Sequence, residues 1–192
     1  MARPRKFDEN TVLDRAMRLF WRHGYDGTST AELLEAMEMT NSSLYKAFGS
    51  KADLFRRVTE RYRAGPLAFR QMALAAYTPR SVVEAVLLGT VDLLSGPGTP
   101  QGCLEVTSGL PAADTDAGIR DLLISNRAVL RGLLAERLLE TMETHDLPNG
   151  TSAEAMASLV ATIAHGLATQ AADGMDRANL KRIVATFMAT WD

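Results

Sequence analysis

Cysteine is almost absent from this sequence of 192 residues: Cys103 stands alone, so no disulfide can form within the chain, which suits a reducing compartment. No stretch approaches the roughly 18 apolar residues that a membrane span needs. The opening "MARPRKFDEN" carries no apolar signal region, so the chain is expected to stay in the cytoplasm. Aromatic residues are sparse at 6%, and few segments alternate apolar and polar residues in the manner of strands. Three histidines, no glycine-rich phosphate loop and no clear cluster of metal ligands leave an enzyme little to work with, and no cofactor or metal is expected. Asp114, Asp116 and Asp121 resemble a metal cluster, yet carboxylates so placed also open a helix favourably. His23 and His145 sit near expected helix ends, where an imidazolium suits the dipole without any catalytic role. A basic surplus is missing too: the formal net charge is −2. A non-specific nucleic-acid coat protein would be far more basic.

What is present is helix-forming material. Hydrophobic residues make up 46% of the chain, and Leu, Ala, Met and Arg are plentiful, which points to an all-α protein. The charge is unevenly spread. Residues 1–63 hold 12 Lys and Arg against 9 Asp and Glu, while residues 64–192 hold 9 against 14. A basic end on an acidic remainder fits a protein that meets phosphate at one end.

Helical spacing runs through Val12, Leu13, Ala16, Met17 and Phe20, with Asp8 as N-cap and Gly24 as the stop. Thr28 or Thr30 is placed to cap a short second helix bearing Leu33, Leu34 and Met37. After the turn "EMT", Thr40 caps a third helix over about Asn41 to Phe48, closed by Gly49. Ser50 caps a fourth, with Leu54, Phe55, Val58 and Tyr62 inward until "AGP" at 64–66. Longer helices are expected over 67–77, 81–94, 116–144 and 151–173, the last with a capping box from Thr151 and Glu154. A final helix follows Asp176, the loop "SGPGTPQG" lies between, and "CLEVTSGL" reads equally as helix or strand.

The segment "TNSSLYKAF" carries the functional signal. Two short helices joined by a tight turn, after a longer first helix, describe a helix-turn-helix. Its second short helix enters the major groove and turns compact donors and acceptors toward base edges. Asn41, Ser42 and Ser43 suit that face, Leu44 and Phe48 anchor it, and Tyr45 and Lys46 point outward. Lys51, at the start of the fourth helix, offers a phosphate site. The plain alternative is a polar helix start with no further role.

Residues 7–55 resemble the N-terminal domain of the TetR/AcrR family of bacterial transcriptional regulators. "LDRAMRLFWRHGYDGTST", "LLEAM" and above all "SSLYKAFGSKADLF" carry the likeness, the last matching the family's "LYxxFxSKxxLF". The resemblance implies an all-helical homodimer that binds a palindromic operator, most often as a repressor, and releases it when a small molecule enters the C-terminal domain. By position, Asn41, Ser42, Ser43 and Lys46 would face bases, beside the cap Thr40. Thr28, Tyr45 and Lys51 would hold phosphates, and Arg3 and Arg5 in "RPRK" would reach the flanking groove. The implied division is a DNA-binding domain at 1–52 and an effector-binding and dimerisation domain at 53–192. One departure stands out: Glu38 occupies the turn where the family usually has glycine, which implies either left-handed strain or another turn, and a carboxylate near DNA.

The second domain gives fewer handles. "GCLEV" at 102–106 is similar to the "GCL" element of one subgroup. Ala157, Ala161, Ala164 and Ala168 form a small-residue face that fits close helix approach, read here as the seam of a homodimer through the last two helices, about 151–191. Intrachain packing is the other reading. Phe69, Met72, Tyr77, Cys103, Leu110, Met142 and His165 are candidates to line a pocket for a small apolar effector. Cys103 also raises the alternative of a thiol-based sensor, though no neighbouring base lowers its pKa and Glu105 would raise it. A dimerisation module without DNA binding is the remaining alternative, and it leaves "TNSSLYKAF" unexplained.

Overall fold

A computed structural model describes residues 8–108, 116–142 and 147–191; these form ten α-helices and two short 3-10 turns, and no strand occurs among them. The first four helices are α1 (Glu9–His23), α2 (Thr30–Met37), α3 (Asn41–Phe48) and α4 (Lys51–Ala64). Their starts follow from local chemistry. Asp8, Thr40 and Ser50 each accept a backbone N–H from the first turn. The cap of α2 is Ser29, not Thr28 or Thr30: it closes a reciprocal box with Glu32, which satisfies two orphan donors at once. Gly24 ends α1 at φ 71°, and a Cβ there would sit 3.5 Å from the Ser108 backbone.

These helices share one apolar centre. Phe20 meets Phe55 edge-on at 5.0 Å, and Trp21 meets Tyr62 at 4.8 Å. Leu33, Met37, Leu44 and Phe48 bring α2 and α3 into the same core. The outer edge of the α1–α4 pair is tied by Arg61, which clamps both carboxylate oxygens of Asp14 at 2.6 and 2.9 Å and reaches Asn10 at 2.9 Å.

The remainder comprises α5 (Phe69–Leu74), α6 (Pro79–Leu94), α7 (Leu104–Thr107), α8 (Ala117–Thr141), α9 (Ala153–Ala172) and α10 (Arg177–Met188). Thr78 and Ser81 cap α6 reciprocally with Pro79 in its first turn. The segment expected as a helix over 67–77 shrinks to the six residues of α5, which has no side-chain cap. Its Phe69 ring presses on Gly89 so closely that a Cβ there would lie 2.3 Å away. Asp116 caps α8, so it is a helix start rather than a metal ligand, whereas Asp114 falls outside the described residues. Ser152, not Thr151, caps α9. The ambiguous "CLEVTSGL" contains the short α7, a wedge touching α1, α4, α8 and α9.

α9 packs on α8 and α6, and its alanines are spent there: Ala157, Ala161, Ala164 and Ala168 are all buried within the chain. The small-residue face is therefore an intrachain contact, not a seam between copies. What α9 and α10 leave exposed is a different set, Leu159 and Ile183.

Candidate nucleic-acid interface and effector cavity

α3 shows a clean division. Leu44 and Phe48 are buried, and Asn41, Ser42, Ser43, Tyr45 and Lys46 are exposed, Tyr45 to 50%. Hydroxyls and amides on a short exposed helix, fixed from behind by two apolar anchors, make a rigid polar face with freedom to meet another molecule. Thr40 is exposed but engaged: its hydroxyl accepts the Ser43 N–H at 3.2 Å and lies 2.9 Å from the Ser43 hydroxyl. Lys51 is partly buried and stands over the Tyr25 ring at 4.4 Å, and burial lowers its pKa below the usual lysine value. Lys51 is the first residue of α4, whose N-cap Ser50 accepts the Asp53 N–H.

One expected contact needs revision. Thr28 is fully buried and its hydroxyl donates to the Gly24 carbonyl at 2.7 Å, so it stabilises the α1–α2 turn and has no hydroxyl to offer a phosphate. Arg3 and Arg5 lie outside the described residues. Glu38 does adopt the left-handed conformation, φ 54° and ψ 43°, the one non-glycine residue at positive φ among the described residues. Its carboxylate is drawn to Arg15 at 2.9 Å, which moderates its repulsion of any phosphate. Arg15 also reaches the Ala36 carbonyl at the end of α2, and nothing in the sequence pattern singled it out.

The junction between this unit and the rest is built on α7. The buried indole N–H of Trp21 in α1 donates to the Gly102 carbonyl at 2.8 Å. The Tyr62 hydroxyl in α4 donates to the Cys103 sulfur at 3.4 Å. Cys103 is buried, which pushes its pKa up, and Glu105 adds to the rise while the Tyr62 hydrogen bond opposes it. The raised pKa disfavours the thiolate that a thiol-based sensor would use.

Behind α7 lies a cavity of about 20 Å³, room for one water. Of the expected lining residues it brings together Cys103 and His165. Phe69 is turned against Gly89 instead, and Met142 packs on the core at the end of α8. Met72, within α5, and Tyr77, beyond its end, are 79% and 76% exposed and line no cavity with Cys103 and His165. Leu110 lies outside the described residues. The cavity is not the apolar one expected: Arg70, Arg127 and Glu105 line it, on three helices far apart in sequence. Glu105 is 2% exposed, and burial raises its pKa against the pull of Arg70, Arg63 and Arg127. Burial, together with Arg127 and Arg70, lowers the pKa of His165 and favours the neutral ring. An outer groove of about 630 Å³ between α4, α5 and α8 shares Leu67 and Arg70 with this cavity, so those two side chains form the wall between them.

A three-helix frame with an exposed polar third helix, mounted on a larger helical body with an interior cavity, is the layout of a helix-turn-helix regulator. The family described as bacterial regulatory proteins, tetR family, matches residues 12–58. A cysteine mutant of the TetR family transcriptional regulator CifR, solved with 26-bp double-strand operator DNA, is 37% identical over 99% of this chain and 100% of that one, with a TM-score of 0.92. A TetR regulator from Rhodococcus sp. RHA1 is 34% identical over 96% and 98% of the two chains, with a TM-score of 0.63. The HTH-type transcriptional repressor ComR of Escherichia coli (strain K12) is 28% identical over 98% of this chain and 91% of its own. The chain belongs to the TetR family of bacterial transcriptional regulators. No helix among the described residues is long and apolar enough to cross a membrane.

Proposed function

We propose that this chain is a cytoplasmic repressor without enzymatic activity, which binds a palindromic operator as a homodimer and leaves it when a small molecule occupies the helical body. The observation that carries the reading is the exposed polar face of α3 held by buried Leu44 and Phe48. Asn41, Ser42, Ser43 and Lys46 read base edges, and Tyr45 and Lys51 hold phosphates. Residues 1–52 act as the DNA-binding domain and 53–192 as the effector and dimerisation domain. The second copy docks on the outer faces of α9 and α10, where Leu159 and Ile183 are exposed and Met175, Ile183 and Phe187 line an apolar depression. Effector occupancy acts on the recognition helices through α4 and through α7, whose neighbour Gly102 is bonded to Trp21. Half-sites on B-DNA call for the two α3 helices about 34–36 Å apart.

Binding-site selection tests this: purified protein, a random duplex library at moderate salt, and sequencing of the retained fraction. A two-fold symmetric consensus is expected. Retention without enrichment, or an asymmetric single half-site, would refute a dimeric operator reader.

A further inference from the structure

The cavity behind α7 carries a surplus of positive charge in a part of the chain that is otherwise acidic, with 9 basic against 14 acidic residues over 64–192. Arg70 from α5 and Arg127 from α8 line it, and Glu105 faces them from α7. The Arg70 Nε is buried with no hydrogen-bond partner, and so is Oε1 of the buried Glu105. Arg127 donates to the Glu105 backbone carbonyl at 3.0 Å, a hydrogen bond that leaves the carboxylate uncommitted. His165 adds no charge in its favoured neutral form. Arg63 also acts on the Glu105 carboxyl, so guanidinium groups outnumber the carboxylate here, and the buried Arg70 Nε and Glu105 Oε1 each lack a partner, which is costly. A guanidinium fork matches a carboxylate better than any other small group except phosphate.

We propose that the effector is a small organic carboxylate, its head held by Arg70 and Arg127 and its apolar tail lying in the groove between α4 and α8. The proposal rests on the reading of the chain as an effector-responsive regulator. The apolar side chains of the groove give an organic carboxylate a place for its tail, which inorganic phosphate lacks. The groove, about 630 Å³, is walled by Ala64, Leu67, Leu74, Val129 and Leu133 with Glu60, Arg63 and Gln71 also lining it, and falls within the size range of small-molecule sites. The inner cavity at about 20 Å³ is too small for a carboxylate, so the head displaces the wall made by Leu67 and Arg70. α5 is the element that yields: it has six residues, no side-chain cap, and a turn on its N-terminal side. Arg70 thereby reports occupancy to Glu105 and α7, which touches α1.

The test uses the full-length protein and isothermal calorimetry with hexanoate, octanoate, benzoate and phenylacetate, alongside octanol and inorganic phosphate. At least one carboxylate is expected to bind, and octanol and phosphate to bind about tenfold more weakly or not at all. Arg70→Gln should lower carboxylate affinity about tenfold or more, while Glu105→Gln, which removes the competing negative charge, should raise it. The opposite signs separate recognition from damage, since a misfolded cavity weakens binding in both variants. Octanol binding as tightly as octanoate, no carboxylate binding, or equal losses in the two variants would each overturn the proposal. Retardation of the selected duplex, measured without carboxylate, tests the regulator reading separately: that reading can fail while calorimetry still records the carboxylate.

Discussion

Glu38 gives a prediction whose sign depends on a single backbone angle. At φ 54° and ψ 43° it ends α2 in the left-handed region, and the Met39 N–H bonds back to the Leu34 carbonyl at 2.9 Å to close the turn. An L side chain there costs about 1–2 kcal/mol. The Arg15–Glu38 pair, with side chains 38% and 64% exposed, returns at most a few tenths to about 1 kcal/mol. Glu38→Gly and Glu38→Ala both lose that pair, so the difference between them isolates the backbone. Glycine is relieved of the strain but gains unfolded-state entropy worth about 0.4–1 kcal/mol. The glycine variant should therefore be more stable than the alanine variant by about 0.5–1 kcal/mol, or about 1–4 °C in Tm for a chain of this size. In an ordinary helix the order reverses, glycine being about 1 kcal/mol worse than alanine. Urea unfolding followed by tryptophan fluorescence and by circular dichroism measures the difference. An alanine variant equal to or more stable than the glycine variant would refute the left-handed turn.

Other expectations follow from the same geometry. Tyr45→Phe and Lys51→Ala should weaken binding to every duplex, and Lys51→Ala should reduce the slope of log affinity against log salt by about one. Asn41→Ala and Ser43→Ala should instead flatten base preference; titrations over several salts and duplexes separate the two groups, and uniform behaviour would void the division. Trp21→Phe leaves the Gly102 carbonyl without its buried donor and should cost about 1–3 kcal/mol in urea unfolding; a loss under about 0.5 kcal/mol would mean that water reaches that carbonyl. Glu105 has its folded-state pKa raised by burial, so its contribution to stability is full below the ordinary glutamate value of 4.5 and is lost as pH rises through the folded value. Glu105→Gln should then be near neutral in stability at pH 4 and stabilising at pH 8, as read by thermal unfolding across pH, and a gain independent of pH would contradict the burial assignment.

Much of the DNA-facing unit can be read from the sequence alone, because its information is local. Asp8, Thr40, Ser50 and Asp176 are caps whose hydrogen bonds span two or three residues, and the spacing of Val12, Ala16 and Phe20 declares a face without any partner. Leu44 and Phe48 likewise determine which side of α3 is left for Asn41, Ser42 and Tyr45. Where two adjacent hydroxyl residues compete, as Thr28 with Ser29 or Thr151 with Ser152, spacing cannot choose between them, and the backbone geometry decides. The rest was settled by tertiary contacts. A row of alanines looks the same whether it meets its own chain or a second copy, and here α9 packs on α8 and α6 with Ala157 and Ala161 buried. Nothing in the sequence pattern joins Arg70, Glu105 and Arg127, and only the packing of α5, α7 and α8 brings them to one cavity. The local code thus determined the helices and the face of α3, while long-range burial decided which charges lost their water, and with it the chemistry of the interior.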